Sequence, residues 1–249
     1  MSPRAWRAVT VTLSAIVSTL ILTACGPAGL TERFSIAGGG VTGVYYAFGE
    51  QLADVLSSRL DTIVTVDETN GSVDNLQRVS DGRALLGFAQ GDVAADAVAG
   101  NGGFSQPLAV QAAARLYDEY VHVVVRNDSD IVQIGDFTGR AVSLGAPSSG
   151  VSIVAQRVLV AAGVEPAAVD DRALGLAESI EALRAGEIEG FFWVGGLPTP
   201  GLAELFGETN TRLLSIEAGT VERANQAHGG VYRPAEFPIG AYGRTQATA

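Results

Sequence analysis

A chain of 249 residues that is 47% hydrophobic and 17% charged can bury one large domain or two small lobes, and it is not a disordered polymer. Its formal net charge of -11 excludes the basic face that nucleic acid requires, and it disfavours contact of the body with anionic lipid. One cysteine, Cys25, excludes an internal disulfide and any cysteine-rich metal centre.

Arg4 and Arg7 precede an apolar run from Val9 to Leu22, which ends in Leu22, Thr23, Ala24 and Cys25. The run is short for a bilayer span, and the small residues before Cys25 suit a signal peptidase, so residues 1–24 are expected to be a removed secretion signal. LTAC followed by Gly26 also resembles a bacterial lipobox, which makes Cys25 the expected site of acylation and residues 25–32 a tether. That places the mature protein outside the cytoplasm, lipid-anchored to the cell membrane.

From Arg33 onward, short apolar strands alternate with longer helical stretches, the pattern of an α/β architecture with a mainly parallel sheet. RFSIA is a first strand and VYYAFGEQLADVLSSRL a helix; TIVTVDE is a second strand, and a helix opens at NGSVDN with Ser72 expected as its cap over Asn75. ALLGFAQ is a third strand, followed by the helical DVAADAVAG. The β-branched run Val121 to Val125 then passes to a second unit. There DFTGRAVSLGAP reads as a strand, SSGVSIVAQRVLVAAGV and ESIEALRAGEI as helices, and EGFFWVGG as a buried strand; a short helix in LPTPGLAELFGE and a return strand TRLLSI complete it. The expected organisation is a first lobe at 33–122, a second at 123–213 and a return to the first at 214–249. A cleft separates the lobes, with hinge strands near Tyr120 to Arg126 and Leu213 to Glu217.

Three places share one design in which a strand ends, a run of Gly, Ser, Thr or Asn follows, and a helix starts: GGGVTG from Gly38, ETNGSVDN from Glu68, and APSSGVS from Ala146. Glycine admits backbone close to a ligand, and the free N–H groups of a helix start carry partial positive charge. Each loop taken alone is also what an ordinary cap or turn requires. Three of them at the carboxyl ends of strands point to an anion such as a carboxylate in the cleft.

Gly38, Gly40 and Gly43 satisfy the G-x-G-x-x-G fingerprint, and Asp67 and Glu68 lie near where a ribose-binding acid is wanted. A nucleotide-dependent enzyme using the Gly38–Gly43 turn is therefore the rival reading. Secretion and the missing six-strand order weigh against it, and the absence of Lys-Ser or Lys-Thr after the glycines removes the P-loop.

AGGGVTGVYYAFGEQLADVL, ETNGSVDNLQRVSDGRALLGFAQGDVAADAVAG, LGAPSSGVSIVAQRVLVAAGV and AGEIEGFFWVGGLPTPGLAEL, in that order, resemble TAXI-type solute receptors. Those are the extracytoplasmic binding components of TRAP transporters. The resemblance implies a two-lobe periplasmic-binding-protein fold of type II, closing on a small carboxylate solute, an amino acid such as glutamate or a dicarboxylate. It implies delivery to a TRAP-type membrane permease, with no cofactor and no catalysis. Carried over by position, the ligand-facing residues are Gly40, Thr42 and Tyr45 in the first turn, Ser72 and Asn75 in the second, Gln90 after the third strand, and Ser148, Ser149 and Gly150 in the other lobe. Backbone and hydroxyl donors meet carboxylate oxygens, Asn75 and Gln90 orient the solute, and Tyr45 forms a wall. The chain stops soon after YRPAEFPIGAYGRTQ, where the family usually continues, so its C-terminal part is expected to be shortened.

His122 in the apolar strand and His228 lack clustered carboxylates or cysteines, so no metal site is expected. Asp170 and Asp171 read as a solvated turn, no nucleophile elbow is present, and Trp193 belongs to the core or the cleft wall.

Overall fold

The computed structural model describes residues 32–208 and 210–242. The signal segment, the lipobox with Cys25 and the final GRTQATA lie outside the described residues. Among the described residues, no helix is long and apolar enough to cross a membrane.

The first sheet is three-stranded and parallel, in the order β2-β1-β3, with β1 at Arg33–Ala37, β2 at Ile63–Asp67 and β3 at Leu86–Gly87. Between β1 and β2 runs α1, Val44–Leu60, which lies close to the sheet because its inward face carries Gly49 and Ala53. A methyl at Gly49 would already press on Val66 at 3.2 Å. Ile36, Ala53, Val64 and Phe88 form the core of this layer. On the other side, α2 (Ser72–Ser80) and α3 (Gly91–Ala99) bury Val73, Leu76, Val93 and Ala97 against Phe104. The third strand is shorter than its apolar sequence predicts, because it is an edge strand that pairs only with Ile36 and Ala37.

The second sheet has five strands in the order β6-β5-β7-β4-β8. Here β4 is Tyr120–Arg126, β5 Ala141–Ser143, β6 Asp170–Asp171, β7 Gly190–Gly195 and β8 Thr211–Leu213. The crossing strand β4 runs antiparallel to both neighbours, β7 and β8, so this sheet is mixed, whereas the alternating pattern predicted a mainly parallel one. The run Val123, Val124, Val125 is buried throughout because both faces of the sheet are covered. Val123 and Val125 pack with α4 (Gly150–Ala161), while Val124 joins the cluster of α5 (Leu176–Ala185) and α6 (Pro200–Glu208).

The sequence pattern also misses α7, Ala218–His228, whose only buried residues are Thr220 and Ala224, too few for an apolar stripe. Residues 214–242, expected to return to the first lobe, lie mainly on the second. Arg223 donates to the Ala161 carbonyl at 2.5 Å, and Tyr242 packs against Phe206. Tyr232 reaches back, donating to Asp92 at 2.7 Å, and Arg233 pairs with Asp118 at 3.2 Å.

Candidate functional site

A cleft of about 300 Å³ opens where the ends of β1, β2 and β3 face the starts of α4 and α5. The chemistry of its walls follows from how each loop satisfies its own backbone.

In the glycine turn, the Gly38 N–H donates to the Asp67 carbonyl at 3.0 Å and the Gly39 N–H to Thr69 Oγ1 at 2.8 Å. Gly39 has φ of 70°, the left-handed conformation that glycine tolerates best. These bonds lash the first loop to the second. They also occupy two of the amides that a dinucleotide phosphate would use, and the sheet order β2-β1-β3 stops at three strands, so the nucleotide reading gains no support.

The second loop is braced from below. Thr69 Oγ1 donates to Asn75 Oδ1 at 2.5 Å, and Asn75 Nδ2 donates to the Phe88 carbonyl at 2.8 Å. Asn75 is fully buried and does not line the cleft, so the residue expected to orient a solute is instead the bracket that ties α2 to the third strand. Ser72 likewise does not cap its helix. The cap position is Gly71, at φ of 111°, and Ser72 Oγ accepts from the Gln90 N–H at 3.1 Å.

From the second lobe, Ser149 caps α4 by accepting from the Ser152 N–H at 3.0 Å. Its neighbour Ser148 is exposed, with φ of 61°, and lies outside the cleft lining. Its carbonyl accepts from the Asp74 N–H at 3.1 Å, a contact between the lobes. Gly150 sits so close to the first lobe that a Cβ there would lie 2.4 Å from Gln90 Oε1 and 2.7 Å from Ser72 Oγ. The Gly201 N–H also donates to the Thr42 carbonyl at 3.2 Å, so the lobes are in contact on two sides of the cleft.

Gly40, Thr42, Tyr45, Ser72, Gln90, Ser149 and Gly150 therefore line one cleft, whereas Asn75 and Ser148 do not. Of the twin tyrosines, Tyr45 faces the cleft, stacked on Phe88 at 5.3 Å. Its hydroxyl lies near Ser72 and Glu119 and completes a well-formed hydrogen bond with neither; burial, then the Glu119 charge, pushes its pKa up. Trp193 is a wall residue, fixed by donation from its indole N–H to Thr199 Oγ1 at 3.1 Å.

Sequence reasoning missed the start of α5, Gly175 to Glu178, and it missed Glu119. Burial pushes the Glu119 carboxyl up to about 7, with the negative charge of Asp92 adding to the effect and the Tyr45 hydroxyl opposing it. The available signal was an acid set directly before the apolar crossing strand. The starts of α1, α4 and α5 bring first-turn N–H groups from both lobes to this space, which suits an anionic oxygen. Among the described residues, no group of three His, Cys, Asp or Glu could hold a metal.

A family model described as the NMT1-like family matches residues 36–249. The fold is that of the two-lobe periplasmic binding proteins. The alkanesulfonate-binding protein SsuA from Xanthomonas axonopodis pv. citri, bound to MOPS, is 20% identical, with 79% of this chain and 68% of that one covered and a TM-score of 0.51. An arginine-bound mutant of ArgBP from T. maritima is 11% identical over 80% of this chain and 96% of that one, at a TM-score of 0.51. The periplasmic aliphatic sulphonate binding protein SsuA from Escherichia coli is 16% identical over 74% of this chain, with a TM-score of 0.46, and the match spans 60% of that protein's length.

Proposed function

Starting from its membership of the NMT1-like family, to which this chain belongs, we propose that the protein is an extracytoplasmic solute receptor and not an enzyme. It captures a small carboxylate solute, an amino acid such as glutamate or a dicarboxylate, and delivers it to a membrane permease. The observation that carries this reading is the convergence of helix starts from both lobes on one cleft. A solute touching both lobes stabilises the closed state, and a permease then recognises that shape.

The ordered motifs that resemble TAXI receptors favour a TRAP-type permease as the partner. The lipobox favours an anchor at Cys25, which keeps the receptor beside that permease. Backbone donors at helix starts serve a sulfonate as well as a carboxylate, so the structural neighbours named for alkanesulfonate and arginine widen the field to be tested.

The test is thermal denaturation of the mature protein against amino acids, dicarboxylates, alkanesulfonates and NAD(H). A ligand at a hundredfold excess over its Kd stabilises by about 2.7 kcal/mol, a shift of several degrees for a protein of this size. Response to at least one small anionic solute is expected. Silence across the panel, or saturable binding of NAD(H) alone, overturns the receptor reading.

A further inference from the structure

The anion-binding helix starts are only half of the cleft. Glu68, Asp74, Glu119 and Glu178 also line it, against one cation, Arg78. Arg78 is spoken for: its Nε donates to Asp74 at 2.8 Å, and its guanidinium faces Asp67 at 4.0 Å. Glu119 has no such counter-charge among the described residues, and its buried Oε1 completes no well-formed hydrogen bond, with the Tyr45 hydroxyl beside it.

Glu119 is not alone in this. Gln90 is 6% exposed, lines the cleft and leaves its own Oε1 without a partner, as do the buried hydroxyls of Tyr45 and Tyr117. These groups are neighbours. The Gln90 backbone N–H donates to Ser72 Oγ, Gln90 Oε1 and Ser72 Oγ crowd the same point at Gly150, and Ser72 and Glu119 both lie at the Tyr45 hydroxyl, with Tyr117 adjoining. A carboxylate and an amide oxygen accept and do not donate, and buried acceptors left unmatched are costly. One ammonium group answers this arrangement with three N–H donors and one positive charge.

We propose that Glu119, flanked by Gln90 Oε1 and the Tyr45 hydroxyl, receives an ammonium group of the solute, so that the receptor takes an amine-bearing anion and discriminates against dicarboxylates. The anionic end of such a zwitterion lies at the helix starts, the ammonium end at the hinge. This inference rests on the receptor reading and sharpens it. Burial, which makes the free Glu119 reluctant to ionise, adds a proton-linked signature. The groups facing it are Tyr45 from α1, Tyr117 from its own segment and Asp92 from α3, the last held by Arg157 and Tyr232.

Calorimetric titration of the full chain with matched pairs tests the proposal: glutamate against glutarate, alanine against propionate, taurine against ethanesulfonate. The amine-bearing member of at least one pair is expected to bind roughly tenfold or more tightly than its deaminated partner. Its affinity should climb between pH 5 and pH 8 as the proton leaves Glu119, and Glu119→Gln should remove both the preference and the climb. Equal or tighter binding of every deaminated member, or a flat pH profile, overturns the role of Glu119 and leaves the receptor reading standing. No binding by any member overturns both. The matched pairs are read on the unaltered protein, so the outcome does not depend on the variant folding.

Discussion

Arg157 of α4 reaches across from the second lobe and is gripped by two carboxylates of α3 in the first, Asp92 at 2.8 Å and Asp96. Its side chain is 10% exposed and that of Asp92 9%, so the pair is shielded from water. Tyr232 closes the group by donating to Asp92 at 2.7 Å and accepting from Arg157 at 3.1 Å. Nothing in the spacing of these four residues announces that they meet.

Removing the cation while leaving its buried partners is the costly way to break such a pair, at about 3 kcal/mol. Arg157→Met should therefore lower the Tm by roughly 5–10 °C. Small-angle scattering should show a more extended ligand-free particle. An unchanged Tm would mean that the clasp is ornamental.

Gly150 controls how closely the lobes approach. A methyl at this first helical position suits α4 itself, since alanine is the better helix former by about 1 kcal/mol. The same methyl collides with Gln90 Oε1 and Ser72 Oγ in the arrangement of the lobes seen here. Gly150→Ala should thus push the lobes apart, giving a more extended ligand-free particle by small-angle scattering and a solute affinity weakened about tenfold by calorimetry.

Asn75 separates support from recognition. Replacing it with alanine leaves the Phe88 carbonyl and the Thr69 hydroxyl without their buried partner, a loss of about 1–3 kcal/mol. Asn75→Ala should lower the Tm even without solute. A solute-affinity defect at unchanged stability would return Asn75 to the list of ligand contacts.

His122 makes the fold acid-sensitive. Its Nδ1 lies 2.9 Å from the Tyr120 carbonyl and its Nε2 2.7 Å from the Tyr242 hydroxyl, which itself accepts from the Thr199 N–H at 3.4 Å. The consistent arrangement has Nδ1 donating and Nε2 accepting from Tyr242, a neutral ring. Burial holds the pKa down at about 4, below the ordinary 6.5. The unfolded chain therefore binds the extra proton first, and stability falls as pH drops from 6.5 to 4, by about 3 kcal/mol. Glu119, shifted upward, acts in the opposite sense: its contribution is lost as pH rises from 4.5 towards 7. Comparing denaturant midpoints of the wild type and His122→Gln across this range cancels the Glu119 term. The wild type should show the steeper acid decline, and parallel curves would assign the acid sensitivity elsewhere.

Local chemistry made much of this molecule legible before any coordinates. The segments read as helices at VYYAFGEQLADVLSSRL and ESIEALRAGEI and the apolar strand 121–125 are short-range properties, set by periodicity and by residues within a few positions of one another. The three Gly- and Ser-rich turns also marked the cleft, because a helix start beside a strand end creates the same donors wherever it occurs. What the chain order could not reveal is which polar side chain faces a ligand and which faces the frame. Asn75 and Ser72 sit three residues apart on one turn, yet Phe88 and Thr69 claim the first, whereas the second reaches the cleft. Glu119 and Gln90 line the same cleft only because the crossing strand starts where the first lobe's third strand ends. The antiparallel course of β4 and the meeting of Arg157 with Asp92 likewise depend on how two sheets dock. Sequence determined the pieces and their anion-binding ends, since those follow from backbone and pattern. Tertiary structure alone decided the charges of the walls, because burial and pairing are properties of the space between lobes.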